Sequence, residues 1–183
     1  MARVPYREPE ALDDGELLVS ALQGRPLHVY QAIANNPAVL RGLRAFLSTL
    51  WTASGLTERR RELAILAAAR ATNSSYEWHQ HVRIAGEGLV SGEELAAIAA
   101  GELDPFGPGD SALVAYAGAV AAGEVDDGTH AAAREALGDD ATLVGAAAVA
   151  AGYAGLARLI DALGVELEPG EAFAGWTNPT VPG

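Results

Sequence analysis

Apolar residues recur at three- and four-residue spacing along most of the chain, whereas strict alternation of apolar and polar residues never persists. The spacing of Leu40, Leu43, Leu47 and Leu50 is typical of an amphipathic helix, which we expect over about 37–52. Ala, Leu, Glu and Arg, all good helix formers, dominate the long segments. The pattern therefore predicts an all-α bundle of seven or eight helices.

Capping and turn residues mark where these helices begin and end. The predicted helices include segments over about 12–22, 28–34, 58–71, 75–87, 110–122 and 128–137, and a last long helix that ends near Leu163. Thr57 is a suitable N-cap, Ser91 and Glu94 form a capping-box pattern, and Asp139 or Asp140 can cap the last helix. Ala and Gly on many helix faces predict close packing between helices.

A short polar cluster stands out within an otherwise alanine-rich, charge-poor run. It consists of Glu62, Ser74, Glu77 and His81. Burying an unpaired ionisable group is costly, so these residues need partners if the run is part of the core. Glu77 and His81 are four residues apart and share one helix face. On one continuous helix Glu62 and His81 would be about 28 Å apart, so they meet only if the chain folds back at the polar break over 72–75.

A Glu beside a His is suited to proton transfer. The carboxylate fixes the imidazole tautomer and raises its pKa, so that the imidazole gives or takes a proton near neutral pH. A second carboxylate in an alanine-lined pocket has a raised pKa and can act as an acid. The alternative is that Glu77 and His81 form an ordinary exposed pair and that Glu62 is a surface charge.

The acidic net charge of the chain disfavours some classes of binding partner. The formal net charge is −12 and the pI is near 4.6, which argues against nucleic acid and anionic membranes as partners. The basic cluster of Arg59, Arg60 and Arg61 is flanked by Glu58 and Glu62, and fits either a solvated helix face or an anion site. No charge-free apolar run of about twenty residues and no signal-peptide core is visible, so we expect a cytoplasmic protein without a membrane span.

Residue chemistry excludes several kinds of site. The sequence has no cysteine, which rules out disulfides, thiolate metal sites and thiol catalysis. His79 and His81 lack the four-residue spacing of a helical metal pair, so we predict no metal. His79 projects from a different helix face than His81, and we expect it at the surface or an interface. We assign His28 and His130 no role.

Three short sequence patterns resemble one known family. They are Arg61-Glu62-Leu63, the stretch Ser74-Ser-Tyr-Glu77 followed by Trp-His-Gln-His81, and the closing segment GYAGLARLIDALGVELEP. Together they resemble the carboxymuconolactone decarboxylase family, which includes the alkylhydroperoxidase D branch. The resemblance covers about 37–169. It implies an alkylhydroperoxidase D-like helical bundle in a single domain 1–183, with an N-terminal helical arm 1–36 and an extended tail 170–183.

The resemblance also implies a homo-oligomer, a trimer or hexamer, with pockets near subunit contacts. One departure affects the chemistry. Ser74 and Glu77 occupy the positions of the redox cysteine pair of the peroxidase branch, and a serine hydroxyl forms neither a disulfide nor a sulfenic acid. A thiol peroxidase is therefore excluded. The decarboxylase branch keeps a Glu-x-x-x-His pair without the cysteines, and Glu77 and His81 fit it.

By this resemblance the chain is expected to be a cofactor-independent decarboxylase, a lyase, acting on a small carboxylated lactone or a related β,γ-unsaturated or β-keto acid. His81 would shuttle the proton, with Glu77 as its orienting partner and Glu62 as the second acid or base. Arg61 or Arg59 would anchor the substrate carboxylate.

Two further residues are candidate substrate contacts, and two other functions are alternatives to the decarboxylase. Ser74 and Trp78 are candidate substrate contacts, although an aromatic such as Trp78 more often serves packing. The same pocket would also suit a related enzyme that only transfers protons, such as an isomerase, cyclase or hydrolase. A binding or assembly protein that merely retains the fold is the third hypothesis.

Overall fold

Polar caps set the helix boundaries in the computed structural model, which describes residues 1–8, 10, 15, 27–86 and 88–176. In this part of the chain there are eight helices and no strand, which confirms the all-α prediction. The helices are α1 (His28–Ile33), α2 (Pro37–Ala53), α3 (Glu58–Ala71), α4 (Ser75–Ala85), α5 (Gly92–Ala100), α6 (Pro108–Ala122), α7 (Asp127–Leu137) and α8 (Asp140–Leu163). Six side chains accept a hydrogen bond from the first turn of their helix: those of Asn36, Thr57, Ser74, Ser91, Asp126 and Asp139.

The observed boundaries lie close to the predicted ones. Ser91 and Glu94 form the complete capping box. α4 ends at Ala85, two residues before the predicted end, and α6 begins at Pro108 because proline suits the first helical position. The helix predicted over about 12–22 lies outside the described residues.

α3 is the central helix of the bundle and packs against α4, α6 and α8. Its nine consecutive residues 61–69 are all buried, so this helix has no solvent face over that stretch. A helix that is enclosed on every side is normally apolar all round. The charged side chains at positions 61 and 62 therefore lie inside the core, where they require partners.

α2 packs on α8 through two glycines. A Cβ at Gly145 would collide with the carbonyl oxygen of Ser54, and one at Gly152 would stand 2.8 Å from Cε1 of Phe46. The close approach of the two helices thus depends on the missing side chains. By length and composition α8 could span a membrane, a test that core helices also pass. Because it packs against α2, α3, α6 and α7, we treat it as a core helix.

The two ends of the described chain run along each other beside α4. Arg3 donates from its backbone to the Leu163 carbonyl and from its guanidinium to the Asp161 and Ala162 carbonyls at the end of α8. Residues 165–176 continue in mostly non-helical conformation across the outer face of α4. The described part of the tail therefore lies against the body of the bundle.

Candidate active site

A tight polar corner folds α4 back against α3. The Thr72 hydroxyl donates to the Ala68 carbonyl at 2.8 Å, which ends α3, and Asn73 adopts a left-handed conformation with φ of 56°. Asparagine is one of the few residues that adopts this conformation readily. Ser74 then caps α4 by accepting a hydrogen bond from the Glu77 backbone. The corner brings the polar residues of the two helices to one place.

His81 lies between two carboxylates. Its Nδ1 is 2.7 Å from Oε2 of Glu62, and its Nε2 is 3.7 Å from Oε2 of Glu77. An ionised carboxylate only accepts, so Nδ1 carries the proton in the first contact. The second distance is too long for a hydrogen bond, which leaves Nε2 available to a ligand atom. These contacts reverse the roles that we expected: Glu62 orients the imidazole, and Glu77 is the second carboxylate.

Burial changes the proton affinity of both partners. Desolvation raises the pKa of Glu77 to about 7, against a smaller lowering by the charge of His81. Desolvation alone would lower the pKa of His81, but the charge and hydrogen bond of Glu62, together with the charge of Glu77, raise it overall. The predicted carboxyl with a raised pKa is thus found at Glu77. A carboxyl with a pKa of about 7 thus lies beside an imidazole whose pKa is also raised.

Arg61 balances the charge of Glu62 inside the core. Their side chains lie 3.8 Å apart from Nε to Oε1, and both atoms are buried without a hydrogen-bond partner among the described residues. The Arg61 guanidinium also stacks 4.1 Å from the centre of the Trp51 ring and donates to the Trp51 carbonyl at 3.1 Å. The positive charge of Arg61 cancels the negative charge of Glu62. Glu77 and His81 are neutral together when they hold one ionisable proton between them in addition to the proton on Nδ1. The buried cluster can therefore stay close to neutral.

Two aromatic residues that the sequence analysis missed complete the cluster. The Trp51 indole Nε1 donates to the Tyr153 hydroxyl at 2.8 Å. The Tyr153 ring meets the imidazole of His81 edge-on, with centroids 5.0 Å apart. A signal for Tyr153 does exist in the sequence, because it is the one aromatic residue of the alanine- and glycine-rich α8. An isolated polar group on an apolar face is the same pattern that pointed to His81.

Three predicted substrate contacts are engaged in other interactions. Arg59 pairs with Glu94 and Asp110 and donates to the Leu89 carbonyl, on the side of α3 that faces α5 and α6. Ser74 serves as the cap of α4. Trp78 is fully buried and packs on Trp176, with ring centroids 5.4 Å apart. The structure brings the side chains of Glu62, Glu77, His81 and Arg61 together. Ser74 meets them through the Glu77 backbone, and the contacts described above for Arg59 and Trp78 are with other residues.

The basic cluster and His79 also differ from expectation. Arg59 and Arg60 form ion pairs with Asp110 while Arg61 is buried, so the three arginines do not share a solvated face. His79 is buried, and its Nε2 lies 3.0 Å from Oε2 of Glu171 in the tail. His79 therefore faces away from the cluster, as expected, but its surface is covered by the chain's own tail.

The cluster is shielded from solvent by the described residues. His81 is 6% exposed, Glu77 4% and Glu62 0%. One cavity of about 480 Å³ lies at the 72–75 corner, and another of about 490 Å³ lies between α3, α5 and α6. Neither has any of these three residues in its lining. Within the described ranges no group of three His, Asp or Glu side chains is placed to hold a metal ion.

Comparison with known proteins finds one similar family and two similar structures. The model of the Carboxymuconolactone decarboxylase family matches residues 37–117, which run from α2 into α6 and include the whole acid and imidazole cluster except Tyr153. Over these residues the chain is similar to that family, and it has no cysteine. The match ends well before residue 169, so it does not include the closing helix that the resemblance covered. A comparison with curated protein sequences finds no significant match.

Two solved structures share the fold of this chain. A cysteine-to-alanine variant of the debrominase Bmp8, solved in complex with 2,3,4-tribromopyrrole, superposes with a TM-score of 0.79 at 15% identity, covering 92% of both chains. The alkylhydroperoxidase AhpD core of an uncharacterised peroxidase-related protein from Ralstonia eutropha JMP134 gives 0.77 at 24% identity, covering 98% of both. These matches confirm the alkylhydroperoxidase D-like fold. The match to the family model over residues 37–117 and the shared fold support an enzyme-like function at the level of that family.

Proposed function

We propose that this chain is a cofactor-independent decarboxylase that acts on a small carboxylated lactone or a related acid. One observation carries the proposal: Glu62 fixes Nδ1 of His81, while Nε2 stays unbonded beside the proton-holding Glu77. An oriented imidazole with one free nitrogen is what general acid–base catalysis requires. The buried guanidinium of Arg61, whose Nε lacks a hydrogen-bond partner among the described residues, is the cation for a substrate oxygen.

The proposed step needs one proton from the protein. The bond between the substrate carbon and its carboxylate breaks, CO₂ leaves, and the electron pair moves into the conjugated carbonyl to give a dienolate. That pair then forms a new C–H bond with the proton on Nε2 of the His81 imidazolium. Glu77 or solvent returns a proton to His81. The positive charge of Arg61 stabilises the oxygen on which negative charge develops.

A second candidate uses the same pair for proton transfer alone. Glu77, with a pKa of about 7, is able to act as an acid or as a base near neutral pH. An isomerisation would take a proton from one carbon and return it to another, and no CO₂ would form. Release of CO₂ separates the two candidates, since both incorporate solvent deuterium into the product.

Substrate reaches the site past Trp51 in this proposal. Trp51 is 36% exposed, yet its ring covers the Arg61 guanidinium and lies 6.4 Å from the His81 ring. Movement of this one ring therefore opens a path to groups that are otherwise buried.

We also propose that copies of the chain associate, as a trimer or hexamer. The support is a group of exposed apolar side chains on α2 and α8, the two helices that carry Trp51 and Tyr153. Val39, Phe46 and Val144 are 48%, 44% and 66% exposed. The two helices pack against each other, and a contiguous exposed apolar patch marks an association surface. Light scattering should give a multiple of 18.8 kDa, and Val144→Glu should lower it; a monomeric wild-type mass would refute association.

The activity test is a screen of small carboxylated lactones and β-keto acids for CO₂ release. Wild-type protein should release CO₂ from at least one compound, and His81→Ala should abolish the release. His130→Ala is the matched control, because His130 also lies edge-on to a tyrosine but stands outside the cluster. Turnover retained in His81→Ala, with helical circular dichroism unchanged, would remove His81 from the mechanism. Deuterium uptake without CO₂ would favour the proton-transfer enzyme.

A further inference from the structure

The hydroxyl of Tyr153 has an unused proton in the middle of the buried cluster. Its bond to Trp51 is the one hydrogen bond that the described residues give it. An indole N–H is a donor only, so the tyrosine oxygen must be the acceptor in this bond. A hydroxyl that accepts in this way still has its own proton to donate. Trp51 thus fixes the polarity of the Tyr153 hydroxyl.

The position of Tyr153 relates that proton to the catalytic imidazole. The ring stands edge-on to His81 with an interplanar angle of 87°, and the side chain is 5% exposed. Burial, followed by the charge of Glu77, raises its pKa well above 10. The hydroxyl therefore stays protonated near neutral pH, where it can donate a hydrogen bond and does not act as a base. A buried, protonated and oriented donor is suited to an oxyanion.

We propose that Tyr153 donates a hydrogen bond to the enolate oxygen of the reacting substrate, with Trp51 holding the hydroxyl in the donating orientation. This inference rests on the proposed function, because it assigns the enolate of that reaction to a particular donor. Two residues then have separate roles in the reaction. His81 handles the proton on carbon, and Tyr153 stabilises the charge on oxygen.

Tyr153→Phe is the direct test, because it removes the hydroxyl and keeps the ring edge against His81. Loss of one such donor lowers kcat by roughly 100-fold or more. We expect that loss with KM little changed, since the hydrogen bond strengthens as charge develops. Tyr116→Phe is the matched control: Tyr116 is equally buried and lies edge-on to His130, with ring centroids 6.1 Å apart, outside the cluster. It should leave kcat within about twofold.

A binding measurement separates this inference from the proposed function. Tetronate, a lactone that is an enolate anion at neutral pH, serves as the probe in titration calorimetry. We expect the wild type and Tyr116→Phe to bind it equally and Tyr153→Phe to bind it at least tenfold more weakly. This outcome supports the inference even if no lactone is decarboxylated. If the wild type turns over a substrate and the kcat of Tyr153→Phe lies within threefold of the wild-type value, the inference is overturned. It is also overturned if tetronate does not bind, or if its affinity is the same with and without the Tyr153 hydroxyl.

Thermal unfolding of each variant shows whether a loss of tetronate affinity comes with a loss of folded protein. Tyr153→Phe leaves the Trp51 indole N–H without its partner, so some loss of stability is expected. Trp51→Phe removes that donor and frees the Tyr153 hydroxyl to rotate while keeping its proton. If Tyr153 acts as proposed, Trp51→Phe should reduce tetronate affinity less than Tyr153→Phe does. The reverse order would mean that packing around the indole, and not the hydroxyl, sets affinity.

Discussion

Oε2 of Glu62 and Nδ1 of His81 lie 2.7 Å apart, although 19 residues separate them in the sequence. Glu62 sits in a helix that is buried on every side, so its charge is tolerated only with this hydrogen bond and with Arg61 beside it. The imidazole in turn gains a fixed tautomer. The contact therefore links the stability of the core to the chemistry of the site.

The raised pKa of Glu77 predicts a stability that falls as the pH rises. Below pH 4.5 the carboxyl is protonated in both the folded and the unfolded protein. Between pH 4.5 and about 7 the unfolded chain releases the proton while the folded protein retains it, so unfolding becomes more favourable. The rise in pKa from 4.5 to about 7 corresponds to roughly 3 kcal/mol.

Urea unfolding of wild type and Glu77→Gln across this range measures the effect. The stability of the wild type relative to the variant should fall by that amount, because glutamine does not titrate. Glu93→Gln, an exposed residue of α5, is the control and should follow the wild type at every pH. A difference between wild type and Glu77→Gln that stays constant with pH would contradict the burial of an acid with a raised pKa.

The glycines of α8 are predicted to respond in opposite directions to the same substitution. Gly145→Ala should destabilise the protein by about 1–3 kcal/mol or more, because the added Cβ collides with backbone of the chain after α2. Gly155→Ala, where nothing stands within 4 Å, should stabilise it by about 0.5–1 kcal/mol through helix propensity. Equal effects in chemical denaturation would refute the close packing of α2 on α8.

The tail is predicted to stabilise α4 through one carboxylate. Glu168 accepts hydrogen bonds from the Tyr76 hydroxyl at 2.6 Å, from Nε2 of Gln80 at 2.6 Å and from the backbone of His28 at 2.9 Å. Removing an acceptor that serves three donors should cost about 1.5–3 kcal/mol. Glu168→Ala should therefore lower the free energy of unfolding by that amount.

Glu135→Ala, on the exposed side of α7, is the control for this substitution and should change the stability little. Hydrogen exchange gives a second readout, because loss of Glu168 should speed exchange in α4 more than in α7. If Glu168→Ala behaved like Glu135→Ala in both experiments, the tail would not be holding α4.

The sequence was sufficient for the fold and for the meeting of α3 and α4, since local signals specify both. Helical periodicity gave the elements, and the polar break over 72–75 gave the bend. The cost of burying charge then required Glu62 and His81 to have partners. These features are set by residues that are close in the chain or that share a single turn.

The features that could not be predicted from the sequence depend on packing between elements that are distant in the chain. The roles of Glu62 and Glu77 follow from which imidazole nitrogen faces which helix, and spacing alone does not determine ring orientation. Tyr153 comes from α8, about seventy residues further along the chain. His79 was expected at the surface because nothing local indicates that Glu171 returns to cover it.

The most direct test of the account is the protonation of His81 measured by ¹⁵N NMR of imidazole-labelled protein. The chain has four histidines, so His81→Ala identifies the signal. We predict that Nδ1 stays protonated throughout the titration, and that Nε2 alone titrates with a pKa above 6.5 that falls when Glu62 is replaced by Gln. A neutral His81 with its proton on Nε2, or a pKa below 6.5 that does not respond to Glu62→Gln, would contradict the site.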